Sequence, residues 1–456
     1  MIINEKLLTK SILILLFLIS IFSINSNSNQ DDANAIIHSK NLLNYNLIQY
    51  IIIFRFFLPF FLFFFLVLWF ILIKKKNYTL ISLFLFYNFW QIAILIISNR
   101  QINIGDFQLA ICATNFLLII YISLVKHLHS LHEIFLYILI IFISSITIFF
   151  IYKIAHEFII NNYFYFFYFS KSIIPETRDF YQASIRSTGL GRMLLLIFFF
   201  LFFIKDEFKD FKKFIIYLAL FIVSICLYGT QARGALIGIP ILIIYYLFFL
   251  NDKILKKMTI IIFLVMLPIL IFEVSISKSS KRINQEKAKE IQEKTEIDDF
   301  YKNRLTTNTA SDSGRFEIWK NSINIIKEEK LIFGIGPQGD RRLIGKYLEK
   351  NKLIKNFKVL ENNSSNAIIY SYLSGGVVCF FILIFIYFLI IKIVYKNLFI
   401  NKFINKNNYL HNFSLVTVIY LLLRSLYENS FTIYGIDFVF FLITNLLIIK
   451  SKKNFK

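Results

Sequence analysis

The apolar residues of this chain come in unbroken blocks, and such blocks leave few folds open. A helix needs about 20 residues to cross a hydrocarbon core of roughly 30 Å. Blocks of that order lie near residues 8–25, 49–73, 78–98, 107–126, 132–153, 190–204, 213–229, 233–250, 258–277, 366–391, 410–427 and 433–450. The strands of a membrane barrel would alternate polar and apolar side chains, and these runs do not. The sequence therefore predicts an all-α polytopic membrane protein of about twelve transmembrane helices, with one large helical loop between the ninth and tenth. Three regions follow: residues 1–277 with about nine helices, the loop 278–365, and 366–456 with about three helices and a basic tail. Composition agrees, at 57% hydrophobic with 55 Phe in 456 residues, where a soluble domain sits nearer half apolar.

A net charge of +22 could point to nucleic acid, but the placement of the charges points elsewhere. With the N-terminus taken as cytoplasmic, the loops that fall inside carry Lys74, Lys75 and Lys76, then Lys126, then Lys205, Lys209, Lys212 and Lys213. Later inside segments carry Lys253, Lys256 and Lys257, then Lys392, Lys396, Lys402 and Lys406, and the tail adds Lys450, Lys452, Lys453 and Lys456. The short outer loops 99–106 and 427–433 carry almost none. This is the positive-inside pattern: it places both termini in the cytoplasm and the loop 278–365 outside, and it makes the bilayer, not nucleic acid, the partner. Lys6 and Lys10 flank the first block as in a secretory signal, but Ser23 to Asn29 offers no convincing small-residue cleavage site, which favours a retained helix. Cys112, Cys226 and Cys379 fall inside expected spans, so neither a disulfide framework nor a metal site is expected. No internal repeat is visible, which counts against an inverted-repeat transporter.

In this topology the distinctive polar residues gather outside, in five constellations. Gly229-Thr230-Gln231-Ala232-Arg233-Gly234-Ala235 joins two spans. An Arg flanked by small residues is open to a ligand, and its planar fork suits phosphate oxygens; the plainer reading is an interfacial Arg that snorkels. Arg186-Ser187-Thr188-Gly189-Leu190-Gly191-Arg192 opens the sixth span with two guanidinium groups and two hydroxyls, or simply turns the chain into the membrane. Ser311-Asp312-Ser313-Gly314-Arg315-Phe316-Glu317-Ile318-Trp319 starts a helix whose apolar Phe316, Trp319, Ile323 and Ile326 recur at helical spacing, capped by Ser313 and ended by Gly334-Ile335-Gly336-Pro337. That helix is expected to lie with this stripe down, its start presenting backbone N–H groups and Arg315 to an anion. Asn362-Asn363-Ser364-Ser365-Asn366 leads into the tenth span, either to hydrogen-bond sugar hydroxyls or to cap the helix. Finally, Arg424 and Glu428 stand i,i+4 near the outer end of the eleventh span, where they could pair or act in catalysis.

In this order the pieces resemble the O-antigen polymerase and ligase family of bacterial envelope proteins over roughly residues 180–440. An S-R-G-A-like turn is matched by Gln231 to Ala235, an S-G-R-x-x-x-W-like helix start by Ser313-Gly314-Arg315 and Trp319, and a G-x-G-P-like turn by Gly334 to Pro337. An H-x-H-N-like motif with a following G-G is matched by Asn363-Ser364-Ser365-Asn366 and Gly375-Gly376. The resemblance implies glycosyl transfer at the periplasmic face of a bacterial inner membrane, without cofactor or metal. The donor would be a glycan on undecaprenyl diphosphate. The acceptor would be another lipid-linked repeat (polymerase) or lipid A core (ligase), with a chain-length regulator as a further partner.

On that reading Arg233 and Arg315, with Arg186, face the diphosphate, where preorganised charge stabilises the leaving group. Arg192, Ser365, Asn366 and Arg424 join Arg186 in binding substrate. One departure stands out: Ser365 occupies the position where ligases of the family carry a His. The histidines here are His38, His127, His129, His132, His156 and His411, all outside the motifs. This favours polymerase over ligase and leaves the base to Glu428, or else to Asp312 or Glu317. A flippase should carry more charge deep in its spans and a smaller loop; Arg55 lies close to a span end. A structural scaffold would explain neither the loop nor the ordered arginines.

Overall fold

The computed structural model describes residues 5–22, 47–74, 76–97, 104–161, 187–230, 232–250, 254–267, 315–350, 364–400 and 408–451. Arg186, Asp312, Ser313, His38 and most of the loop 278–365 lie outside them, as do the side chains of Arg55, His156, Arg233 and Glu317. The first five helices are α1 (Glu5–Phe22), α2 (Leu47–Leu72), α3 (Thr79–Ile97), α4 (Ile104–Val125) and α5 (Ser130–Asn161). Then come α6 (Ser187–Ile204), α7 (Asp210–Gly229), the single turn Arg233–Leu236, α8 (Gly238–Phe249) and α9 (Ile254–Ile261), which runs on into one π turn. The remainder are α10 (Arg315–Glu328), α11 (Gly339–Lys350), α12 (Ala367–Tyr395), α13 (Tyr409–Ser425) and α14 (Ile436–Ser451).

Five segments are long and apolar enough to cross a membrane: Thr79–Ile97, Phe107–Val125, Ser130–Tyr152, Asp210–Tyr228 and Ala367–Ile400. Phe56–Leu72 and Gly234–Phe249 are shorter apolar helices. No described residue lies in a strand. Phe61, Phe64, Leu68 and Leu72 of α2, and Phe381, Phe385 and Phe388 of α12, stand exposed in rows. Apolar area of that extent suits hydrocarbon and not water. The chain is a helical membrane protein.

It divides into two compact units. The first comprises Met1–Leu139, Arg315–Asn401 and Thr417–Lys456, and the second Ile140–Gly314 with Lys402–Val416. In the first, α4 is the central post, buried almost all round, with Phe116, Leu117, Leu118 and Ile119 fully enclosed. Phe17 stacks on Phe135 at 4.0 Å, and Phe431 on Phe441 at 3.9 Å. Asn115 of α4 donates to the carbonyl of Pro59 in α2 at 2.8 Å, a polar tie between two apolar helices. In the second unit α6 packs on α7 and on the turn Arg233–Leu236, and Ser224 of α7 donates to the Leu264 carbonyl at 2.7 Å.

The first unit's most telling feature is a break in α12. Gly376 sits at φ 64°, ψ −155°, a region that only glycine occupies without strain. The break frees backbone groups, and the segment after α10 takes them up. Ile335 N–H donates to Leu373 O at 3.0 Å, Gly336 N–H to Ser374 O at 2.8 Å, and Val377 N–H to Ile332 O at 2.9 Å. Trp90 Nε1 of α3 adds a bond to Gly375 O at 2.9 Å. The turns of α12 before Gly376 close a small core of Ile325, Leu331, Ile335, Ile344 and Leu373 with α10 and α11.

Candidate functional site

Three of the five sequence constellations meet at the start of α12, in the first unit. Asn366 is the N-cap: its side-chain oxygen accepts from Ile368 N–H at 2.9 Å and Ile369 N–H at 3.1 Å, as an extended Asn before a helix should. Its amide Nδ2 donates to Leu426 O at 2.7 Å, and its own N–H to Asn429 Oδ1 at 2.8 Å. Asn429 Nδ2 reaches Ser364 Oγ at 3.2 Å, so the turn after α13 is stitched to the residues entering α12. From α10, Trp319 Nε1 donates to Ser365 O at 3.3 Å. Ser365 holds a left-handed backbone (φ 45°) that presents this carbonyl.

Arg315, the first residue of α10, completes the group. Its guanidinium donates to Glu428 Oε1 at 2.6 Å and lies 5.5 Å from the centre of the Tyr427 ring. Both partners are partly exposed, so the charge-assisted bond fixes direction more than it adds stability. Arg424 pairs differently. In place of the i,i+4 contact with Glu428, its Nε donates to Asp437 Oδ2 of α14 at 3.2 Å, with both side chains almost fully buried. The physical reason is the turn after Ser425: the helix ends there, so Glu428 is carried off the face that Arg424 occupies.

The buried face of α10 also differs from the expected stripe. Phe316 and Ile323 are 64% and 43% exposed, while Ser322 and Ile325 are buried and Ile318 and Ile326 pack beside them. The helix is rotated because its core partners are α11 and the first turns of α12, which offer Ile344 and Leu373.

The other two constellations meet in the second unit. Gly191 of α6 packs so tightly on the turn after α7 that a Cβ there would stand 2.6 Å from Ala232 Cβ and 2.7 Å from Thr230 Oγ1. Thr230 closes α7, its hydroxyl donating to Leu227 O at 2.7 Å, and accepts from Ala232 N–H at 3.3 Å. Arg233 then begins a new helical turn, and Arg192, half-buried, follows Gly191 on α6.

Sequence reading passed over Asp340 and Gln338, in the turn after Gly336-Pro337. Asp340, in the first turn of α11, accepts Ser364 N–H at 2.9 Å. The available signal was the acid three residues after the G-x-G-P turn, at a helix start. Among the described residues no group of three or more His, Cys, Asp or Glu stands close enough to hold a metal.

The first unit thus carries a helix start at which Arg315, Glu428 and the cap of α12 are tied together, in a helical membrane protein. Residues 218–384 match the family model described as O-antigen ligase. This match supports an O-antigen ligase or polymerase family membrane protein. The match supports a role in surface-polysaccharide assembly. The match takes in Arg233, Arg315, Ser365 and Asn366; Arg186 and Arg192 precede it, and Arg424 and Glu428 follow it. No curated protein matches the sequence.

Proposed function

We propose that the chain polymerises undecaprenyl-diphosphate-linked oligosaccharide repeats at the periplasmic face of the bacterial inner membrane. In this reading about twelve helices span the bilayer, both termini are cytoplasmic and the loop 278–365 is periplasmic. A chain-length regulator would act beside it.

The observation that carries the reading is the fixed guanidinium of Arg315, held by Glu428 at 2.6 Å at a helix start. When the bond between the anomeric carbon and the diphosphate breaks, negative charge grows on the leaving group. A guanidinium already oriented stabilises that charge without reorganising. Glu428 then serves to aim Arg315. Arg233 at its own helical start, with Arg186 and Arg192, would supply further charge for donor or acceptor diphosphate. Ser365, Asn366 and Arg424 would shape the sugar-binding wall, and the step would need no metal.

The family description favours a second reading, transfer to lipid A core by a ligase. Ser365 where ligases carry His favours polymerase, since a serine hydroxyl is a poor base at neutral pH. A polysaccharide gel from a deletion strain separates them. Collapse of the ladder to a single-repeat band supports polymerase. Loss of the ladder while long polymer accumulates on the carrier lipid supports ligase. An unchanged ladder overturns both.

A further inference from the structure

With Glu428 engaged by Arg315, the acceptor side of the reaction needs another carboxylate, and the structure holds one close by. Asp340 is 1% exposed. Its Oδ2 accepts Ser364 N–H at 2.9 Å, and its Oδ1 has no hydrogen-bond partner among the described residues. Leaving a buried carboxylate oxygen unmatched is costly, so such an oxygen marks a place where a further donor belongs. It does not stand alone. Gln338 Nε2, two residues earlier, and Ser430 Oγ, next to the Asn429 that binds Ser364, are likewise buried and without a partner among the described residues. Asp340, Gln338 and Ser430 together offer a carboxylate oxygen, an amide N–H and a hydroxyl, the mixed donor and acceptor set that sugar hydroxyls satisfy.

We propose that Asp340 binds the attacking hydroxyl of the acceptor glycan and takes its proton, the role that Ser365 cannot fill. This rests on the glycosyl-transfer reading above. In the step, the acceptor O–H bond breaks and its proton passes to Asp340 Oδ1. The freed electron pair of the oxygen forms the new bond to the anomeric carbon of the donor. The bond from that carbon to the diphosphate breaks, and the diphosphate leaves with its electron pair toward Arg315. The Ser364 N–H holds Oδ2, so the other oxygen keeps a fixed direction throughout.

The test uses the full chain, purified into lipid vesicles, with the lipid-linked repeat that accumulates in a deletion strain. Asp340→Asn keeps an oxygen for Ser364 N–H but cannot take a proton. It is expected to lower turnover about 100-fold or more, the usual worth of a general base. Binding of undecaprenyl diphosphate, measured separately as the probe of the donor site, should be unchanged. Asp340→Glu keeps a carboxylate and should restore part of the rate together with the acid limb of the pH–rate profile. Asp340→Asn turning over within about three-fold of wild type would overturn the proposal, because a base is worth more than that. So would Asp340→Asn and Asp340→Glu losing equal activity per folded molecule, the mark of a water-filled or purely structural site. If wild type itself consumes no lipid-linked repeat, the glycosyl-transfer reading fails and this proposal with it, an outcome visible before any variant is made.

Discussion

Replacing Gly376 by Ala tests the idea that the G-x-G-P turn exists to seal the break in α12. At φ 64°, ψ −155° an alanine is strained wherever it stands, at about 1–3 kcal/mol. A Cβ would also lie 2.0 Å from Ile332 O and 2.5 Å from the Phe333 carbonyl carbon, both backbone atoms that cannot swing aside. The segment must therefore back away, which threatens its three bonds to α12 at roughly 0.5–1.5 kcal/mol each. Together these give a loss of roughly 2.5–7.5 kcal/mol. Unfolding of the purified chain in mixed micelles of detergent and SDS measures it. Gly435→Ala is the matched control, since nothing lies within 4 Å of its added methyl. Faster proteolysis between residues 331 and 338 should accompany the loss in Gly376→Ala alone. A variant within about 1 kcal/mol of wild type, the range of ordinary surface substitutions, would refute the reasoning.

Two further changes probe the frame around the site. Asp437→Asn leaves Arg424 buried without its counter-charge and is expected to destabilise by about 3–5 kcal/mol; the same micelle titration reads it, and a change below about 1 kcal/mol would show that the pair contributes little. Asn366→Ala removes the cap of α12, worth about 1 kcal/mol, and releases the turn at Leu426. Turnover should fall more than stability does, and full turnover would show that the cap does not shape the site.

Much of this was legible in the sequence, for identifiable reasons. Apolar blocks become helices because lipid leaves the backbone no other partner, so α3, α4, α7 and α12 fall where hydropathy puts them. Arg315, Trp319, Ser365 and Asn366 were singled out by the family resemblance and by local pattern, and the structure joins Trp319 to Ser365. The face of α10 was misjudged because, beside a membrane, an exposed Phe316 or Ile323 is no contradiction, so apolar spacing does not say which face meets protein. The break at Gly376 was invisible for another reason. Its stability comes from Ile332, Ile335 and Gly336, some forty residues away, and a glycine pair in an apolar run gives no hint of its partner. The Arg424–Asp437 pair lies across a turn, where i,i+4 spacing has no reach. Asp340 escaped notice because only the fold brings it to Ser364.

The central claim is that this chain transfers glycan with Arg315 holding the leaving diphosphate. Its most direct test is incubation of the vesicle-embedded chain with its lipid-linked repeat, following glycan length and released undecaprenyl diphosphate together. Wild type should lengthen the glycan by whole repeats, releasing one undecaprenyl diphosphate for each bond formed. Arg315→Lys, which keeps the charge but loses the two-pronged fork, should fold normally and do neither. Equal elongation by the lysine variant, or no diphosphate release by wild type, would contradict the account.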